Sequence, residues 1–209
     1  MKKRIFGMGL IGLALAATLT TNVAYATETA TDETPGTATT QASAIVTAGD
    51  LTIQSNGSVN FEEITLGEEV ADTMTFNADP NSNVNITVTD NRGTKQGWEV
   101  RARRSAFTIN GNEALPNAKI NFGTGTALLN GHGKAYGIAP VFNQEGVSVG
   151  TTETDVITAT NSNGMGQWQI NWPNSEINLS LSGSEYLGLS GGTYSTDITW
   201  TLYATPDAQ

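Results

Sequence analysis

Five cations, Arg92, Lys95, Arg101, Arg103 and Arg104, fall within thirteen residues of a chain that carries only ten basic residues against twenty acidic ones. Arginine forks match carboxylates and phosphates in a planar, two-pronged geometry. The stretch DNRGTKQGWEVRARR, residues 90–104, is therefore a candidate anion cradle. Its alternation sets Trp98, Val100 and Ala102 on one face of a strand, with Glu99, Arg101 and Arg103 on the other. The same arginines also suit a solvated strand paired with nearby carboxylates such as Glu99 or Glu113, where exposed pairs contribute about 0–1 kcal/mol. Two tryptophans stand two residues before an aliphatic: Trp98 before Val100 and, near the C-terminus, Trp200 before Leu202. Either ring is a core residue or a half-exposed platform for a sugar, and sharing a face with an aliphatic favours burial. The candidate binding set is Trp98, Val100, Arg101, Arg103, Arg104, Trp200 and Leu202.

Other residues offer less. His132 is the single histidine and is flanked by glycines, so no Ser–His–Asp or histidine-based metal site assembles around it. Glu62-Glu63 and Glu68-Glu69 are adjacent pairs whose members point to opposite faces of a strand, unlike two carboxylates aimed at one glycosidic bond. Asp79-x-Asn81-x-Asn83 starts like a calcium loop. Val84 stands where that loop needs glycine, and Asp90 replaces the bidentate glutamate, so a turn is the better account. No catalytic constellation, metal or cofactor is expected.

The elements that position these residues are strands. Val84, Ile86 and Val88 alternate with polar residues, as do Trp168, Ile170 and Trp172 up to Pro173, then Ile177, Leu179 and Leu181, and finally Tyr194 to Ala204. Leu51 and Ile53, then Val59 and Phe61, flank Asn56-Gly57, which predicts a hairpin turn. Asn110-Gly111 predicts a second, with residues 118–122 as the returning strand, and Asn130-Gly131 a third. Residues 123–150 are glycine-rich and predict longer loops. No segment after the N-terminus shows helical periodicity. The expected fold is all-β: one antiparallel sandwich or barrel-like domain with glycine-rich loops.

Lys2, Lys3 and Arg4, an apolar run to Leu19 and Ala24-Tyr25-Ala26 read as a secretory signal peptide over residues 1–26. Its removal takes three basic residues and no acidic one, moving the formal charge from −10 to −13. So acidic a chain is a poor partner for nucleic acid. Residues 27–44, rich in threonine and acid, read as a flexible linker, which leaves 45–209 as one domain. Cysteine is absent, so an exported chain must rely on its core alone. No membrane helix or sortase-type signal is read beyond Pro206, so surface attachment is expected to be non-covalent.

The blocks ITVTDNRGTKQGWEV (86–100), SAFTINGNEAL (105–115) and ITWTLYATP (198–206) resemble the WxL-domain family, surface proteins of low-GC Gram-positive bacteria. The resemblance covers roughly Leu51 to Pro206, although Val100 stands where the first W-x-L motif has Leu. It implies a secreted protein with a β-rich C-terminal domain, held without covalent bonds on the cell wall. Peptidoglycan is the implied ligand and a membrane-anchored surface protein a candidate partner, while teichoic acid is a further ligand suggested only by the arginine forks. A structural or adhesive subunit that docks another surface protein or a host ligand is the alternative, and a wall hydrolase the third reading.

Overall fold

The computed structural model describes residues 41–67, 69–129, 139–142, 146–161 and 163–204. The segment read as a signal peptide, most of that read as a linker, Glu68, Asn130-Gly131 and His132 lie outside the described residues. The chain divides into two units, Met1–Ile45 and Val46–Gln209, and the strands lie in the second. In chain order they are β1 (Leu51–Ser58), β2 (Thr73–Asn77), β3 (Asn83–Asp90), β4 (Trp98–Arg104), β5 (Phe107–Ile109), β6 (Asn112–Ala114) and β7 (Lys119–Phe122). There follow β8 (Thr126–Leu129), β9 (Val141–Phe142), β10 (Val147–Val149), β11 (Thr154–Ala159), β12 (Gly166–Pro173), β13 (Ile177–Ser182) and β14 (Ile198–Ala204). One short helix, α1 (Gly183–Leu187), follows β13.

Three four-stranded antiparallel sheets form, in the orders β1-β3-β12-β8, β10-β7-β13-β2 and β14-β4-β11-β9, with β5-β6 as a separate hairpin. Among the described residues no sheet closes on itself, so the sandwich alternative holds over the barrel. The alternation read from sequence is the burial pattern observed. Val84, Ile86 and Val88 of β3, Trp168, Ile170 and Trp172 of β12, and Ile177, Leu179 and Leu181 of β13 are all buried. Each aliphatic side chain removed from water contributes about 1.5–3 kcal/mol. In β11 the neighbours Val156 and Ile157 are both buried, because a bulge between Asp155 and Ile157 slips the register and turns two successive side chains inward.

Three expectations need correction. Asn56-Gly57 makes no turn: β1 runs straight through it, pairing Asn56 with Asn85 and Gly57 with Val84. Gly57 sits at φ +106, and a Cβ there would overlap the Asn83 carbonyl, so glycine serves a close strand approach. Asn110-Gly111 does turn, with both residues at positive φ, but its returning strand is β6. Residues of β7 pair instead with β10 and β13. The third is α1, too short to show periodicity. Its signal was local: Ser182 and Glu185 form a reciprocal capping box.

Candidate functional site

The two tryptophan-bearing strands lie side by side. β14 pairs with β4, so that Trp200 meets Ala102, Leu202 meets Val100 and Ala204 meets Trp98. Trp98 and Val100 are fully buried. The Trp98 indole N–H donates to the Gly164 carbonyl at 3.0 Å. Gly164 has φ +69, and a Cβ would crowd the indole ring, so this glycine lets the loop before β12 close over the tryptophan.

The segment leading into Trp98 is also built for packing. Asp90 lies on the inward face of β3 and is only 3% exposed. Arg92 holds it with Nε to Oδ1 at 2.9 Å and Nη2 to Oδ2 at 2.9 Å, then reaches the Gly97 carbonyl at 2.7 Å, tying both ends of the β3–β4 loop. Gly97, at φ +76, lies so close to Ala159 that any side chain would overlap the Ala159 carbonyl. Asp90, Arg92, Gly97 and Trp98 of this block are therefore architecture.

Arg104 is the clearest departure from a basic surface cradle. By strand parity it belongs with Trp98, Val100 and Ala102, and it is 1% exposed. Its guanidinium donates to carbonyls: Nε to Ala118 at 2.9 Å, Nη2 to Leu115 at 3.1 Å, to Pro116 at 3.0 Å and to Ala118 at 2.6 Å, and Nη1 to Ser105 at 2.8 Å. Burial lowers its pKa, and the charge of Glu185 opposes that fall. Glu185 grips the same loop by its amides: the Asn117 N–H donates to Oε1 at 2.7 Å. Leu115, at φ +49, adopts the left-handed region between these opposed grips.

On the opposite face of β4, Arg101 pairs with Glu99 and, at 2.8 Å, with Asp155, and it stacks 5.0 Å from the Tyr203 ring centroid. The Tyr203 hydroxyl donates to Glu153 at 3.0 Å, and Glu153 is the chief reason that its pKa is raised. Arg101 is thus neutralised locally, as the solvated-strand reading expects, whereas Glu113 makes no ion pair among the described residues. Arg103 and Lys95 are exposed and make no ion pair among the described residues. The seven candidates divide three ways. Trp98, Val100 and Arg104 are core, Arg101 and Arg103 occupy an outer face, and Trp200 and Leu202 are half-buried on the inner face.

Trp200 joins the three sheets. Its ring stacks on Trp172 of β12 (centroids 5.7 Å apart, 18° between planes) and meets the edge of Phe122 of β7 at 5.5 Å. Its polar atom differs from those of its fellows. The indole N–H groups of Trp98, Trp168 and Trp172 each donate to a loop carbonyl. Among the described residues, that of Trp200 has no acceptor. No buried side-chain nitrogen or oxygen among them lacks a partner, so this N–H is not fully buried.

Trp200 lines a cleft of about 920 Å³ walled by residues 55–64 and 189–198, with Val84, Phe107, Leu115, Ile120 and Leu179 beside it in the floor. Sequence reasoning missed this cleft because its walls, 55–64 and 189–198, lie far apart in the chain and no local pattern shows that they face each other. The hydroxyl-rich run at 190–196 was its one visible trace.

The walls are held in place. Thr108 and Ser195 exchange backbone hydrogen bonds at 2.8 and 3.0 Å, and the Tyr194 hydroxyl accepts from the Ser190 N–H at 3.0 Å. Ser82 bonds both the N–H and the carbonyl of Asn60. The Asp79 carboxylate accepts from the Asn81 backbone and side-chain amides, the turn expected in place of a calcium loop. Among the described residues no group of three or more metal-ligating side chains forms.

Two carboxyls give the domain a pH signature. Burial would raise the pKa of Asp90, but the hydrogen bonds and charge of Arg92 outweigh it and hold it below the ordinary range. Burial likewise acts upward on Glu185, and hydrogen bonds from Asn117, Ser182 and Ala118 outweigh it. A carboxyl lowered on folding stabilises the fold above its unfolded pKa and loses that contribution as pH falls through the folded value. The urea midpoint is therefore expected to be flat down to about pH 5 and to fall below about pH 4. Asp90→Asn should lose stability at neutral pH and flatten that acid limb; an unchanged limb would remove Asp90 from the account.

No curated protein and no solved structure matches the chain. A family model does: WxL domain, surface cell wall-binding, over residues 20–206. That span holds both tryptophan strands, the loop tied by Asp90 and Arg92, and the cleft. The chain belongs to the WxL-domain family of surface cell wall-binding proteins.

Proposed function

We propose that the protein is secreted and held without covalent bonds on the bacterial cell wall, with peptidoglycan as the polymer bound. The family match over residues 20–206 carries this reading. The signal-like N-terminus supports export, and among the described residues no helix is long and apolar enough to cross a membrane. Binding rests on contacts alone, without a chemical step.

Of the sequence candidates, Arg101, Arg103, Trp200 and Leu202 have surface to offer a ligand, whereas Trp98, Val100 and Arg104 support the binding surface from within. Local pairing of Arg101 and burial of Arg104 argue against an extended cradle for teichoic acid, since Arg103 is left as the strand's free fork. Sedimentation with isolated sacculi tests the reading. The protein is expected to co-sediment whether or not teichoic acid has been stripped, and the turbidity of the suspension should stay constant. Arg101→Gln/Arg103→Gln should weaken retention by less than about threefold, the scale of exposed ion pairs. Release on stripping would make teichoic acid the ligand, and falling turbidity would make the protein a hydrolase.

A further inference from the structure

We infer that the cleft floored by Trp200 is a saccharide site that takes an uncharged, acetamido-bearing stretch of glycan. The inference rests on the wall-binding reading and deepens it. The cleft's volume, about 920 Å³, is at the upper end for small-ligand sites and leaves room for more than one sugar ring. Its floor is apolar and its rim carries hydroxyls and backbone amides, the two chemistries that a pyranose presents on its faces and its edges.

Charge narrows the ligand. Glu62, Glu63 and Asp197 line the cleft, and among the described residues no Lys, Arg or His does. A phosphate or a free carboxylate entering it would meet like charge without a counterion, which disfavours teichoic acid there. A neutral sugar meets no such penalty. The N–H of Trp200 is not fully buried and has no acceptor among the described residues, so it is a donor suited to a hydroxyl or acetamido oxygen. Hydrogen-bonded walls mean that little ordering is needed on binding.

The outer arginines cannot share this ligand. Alternation along β4 and β14 puts Trp200 on the inner face and Arg101 and Arg103 on the outer face of one sheet. Binding in the cleft is therefore expected to be almost independent of salt, whereas capture through the arginines would weaken as salt screens them.

A soluble hexamer of N-acetylglucosamine is the probe, titrated against the purified protein by tryptophan fluorescence and used as competitor in sacculus sedimentation. Two variants report on the cleft. Gly191 has open space around its Cβ position and ordinary φ, so Gly191→Trp adds bulk at the cleft wall without strain. Trp200→Phe keeps a ring against Trp172 and Phe122 and removes the N–H. Thermal unfolding confirms that each variant is folded.

The hexamer is expected to bind, to displace the protein from sacculi, and to hold its affinity from about 0.05 to about 0.5 M salt. Each variant should weaken it about tenfold. Sedimentation of the wild type that neither the hexamer nor either variant disturbs would overturn the cleft and leave wall binding standing. Hexamer binding without sedimentation would uphold the cleft and overturn the wall reading. Displacement by soluble teichoic acid, with the hexamer inert, would overturn the uncharged ligand.

Discussion

Trp98→Ala is expected to lower the unfolding free energy by about 3–5 kcal/mol, a large part of a domain's total stability. The side chain is fully buried at the start of β4, and truncation leaves a cavity as well as losing apolar contact. It also leaves the Gly164 carbonyl without the indole donor at 3.0 Å. The loop that Gly164 caps precedes β12, so the damage should spread to the sheet holding Trp168 and Trp172. Trp98→Phe keeps most of the volume and should cost less, about 1–3 kcal/mol. Urea unfolding read by far-UV circular dichroism checks both. At a temperature where each variant is folded, sacculus binding should equal that of the wild type. A folded Trp98→Ala protein that no longer binds would put this residue back among the ligand contacts.

Much of this was legible in the sequence because strand alternation is a direct physical readout of burial. Val84, Ile86 and Val88 alternate on paper and are buried in the fold. The adjacency of β4 and β14 was not derivable from periodicity, since strands a hundred residues apart carry no local sign of pairing. Asn56-Gly57 misled because local turn preference was overridden by eight paired residues of β1 against β3. Arg104 misled for the opposite reason: chemistry was weighed above parity. Counting every second residue from Trp98 already places it inward, and only the expectation that a guanidinium stays in water moved it out.

The same sheet separates two chemistries that sequence grouped as one. β4 and β14 turn arginines toward solvent on one side and Trp200 toward the cleft on the other. Arg101 is occupied by Glu99, Asp155 and Tyr203, which order the outer face. In this chain the first tryptophan of the motif is core and the second is a junction of three sheets.

Arg104→Met is expected to cost about 2–4 kcal/mol, because it removes the donors of four backbone carbonyls in or near the core. A charge buried without a carboxylate partner is tolerated here because Ser105, Leu115, Pro116 and Ala118 surround the guanidinium with carbonyl dipoles. Methionine fills much of the volume, so packing loss is small and the measured effect reports mainly the unsatisfied oxygens. Arg104→Lys should recover less than half of the loss, since a single ammonium cannot reach carbonyls on several sides of a planar fork. Arg103→Met, one residue away on the exposed face, should stay within about 0.5 kcal/mol of wild type. The loop held by Arg104 contributes Leu115 to the cleft floor, so hydrogen exchange at Asn117 and Ala118 should also quicken in Arg104→Met. Equal stability of the Arg103 and Arg104 variants would show that the buried guanidinium does not hold this loop.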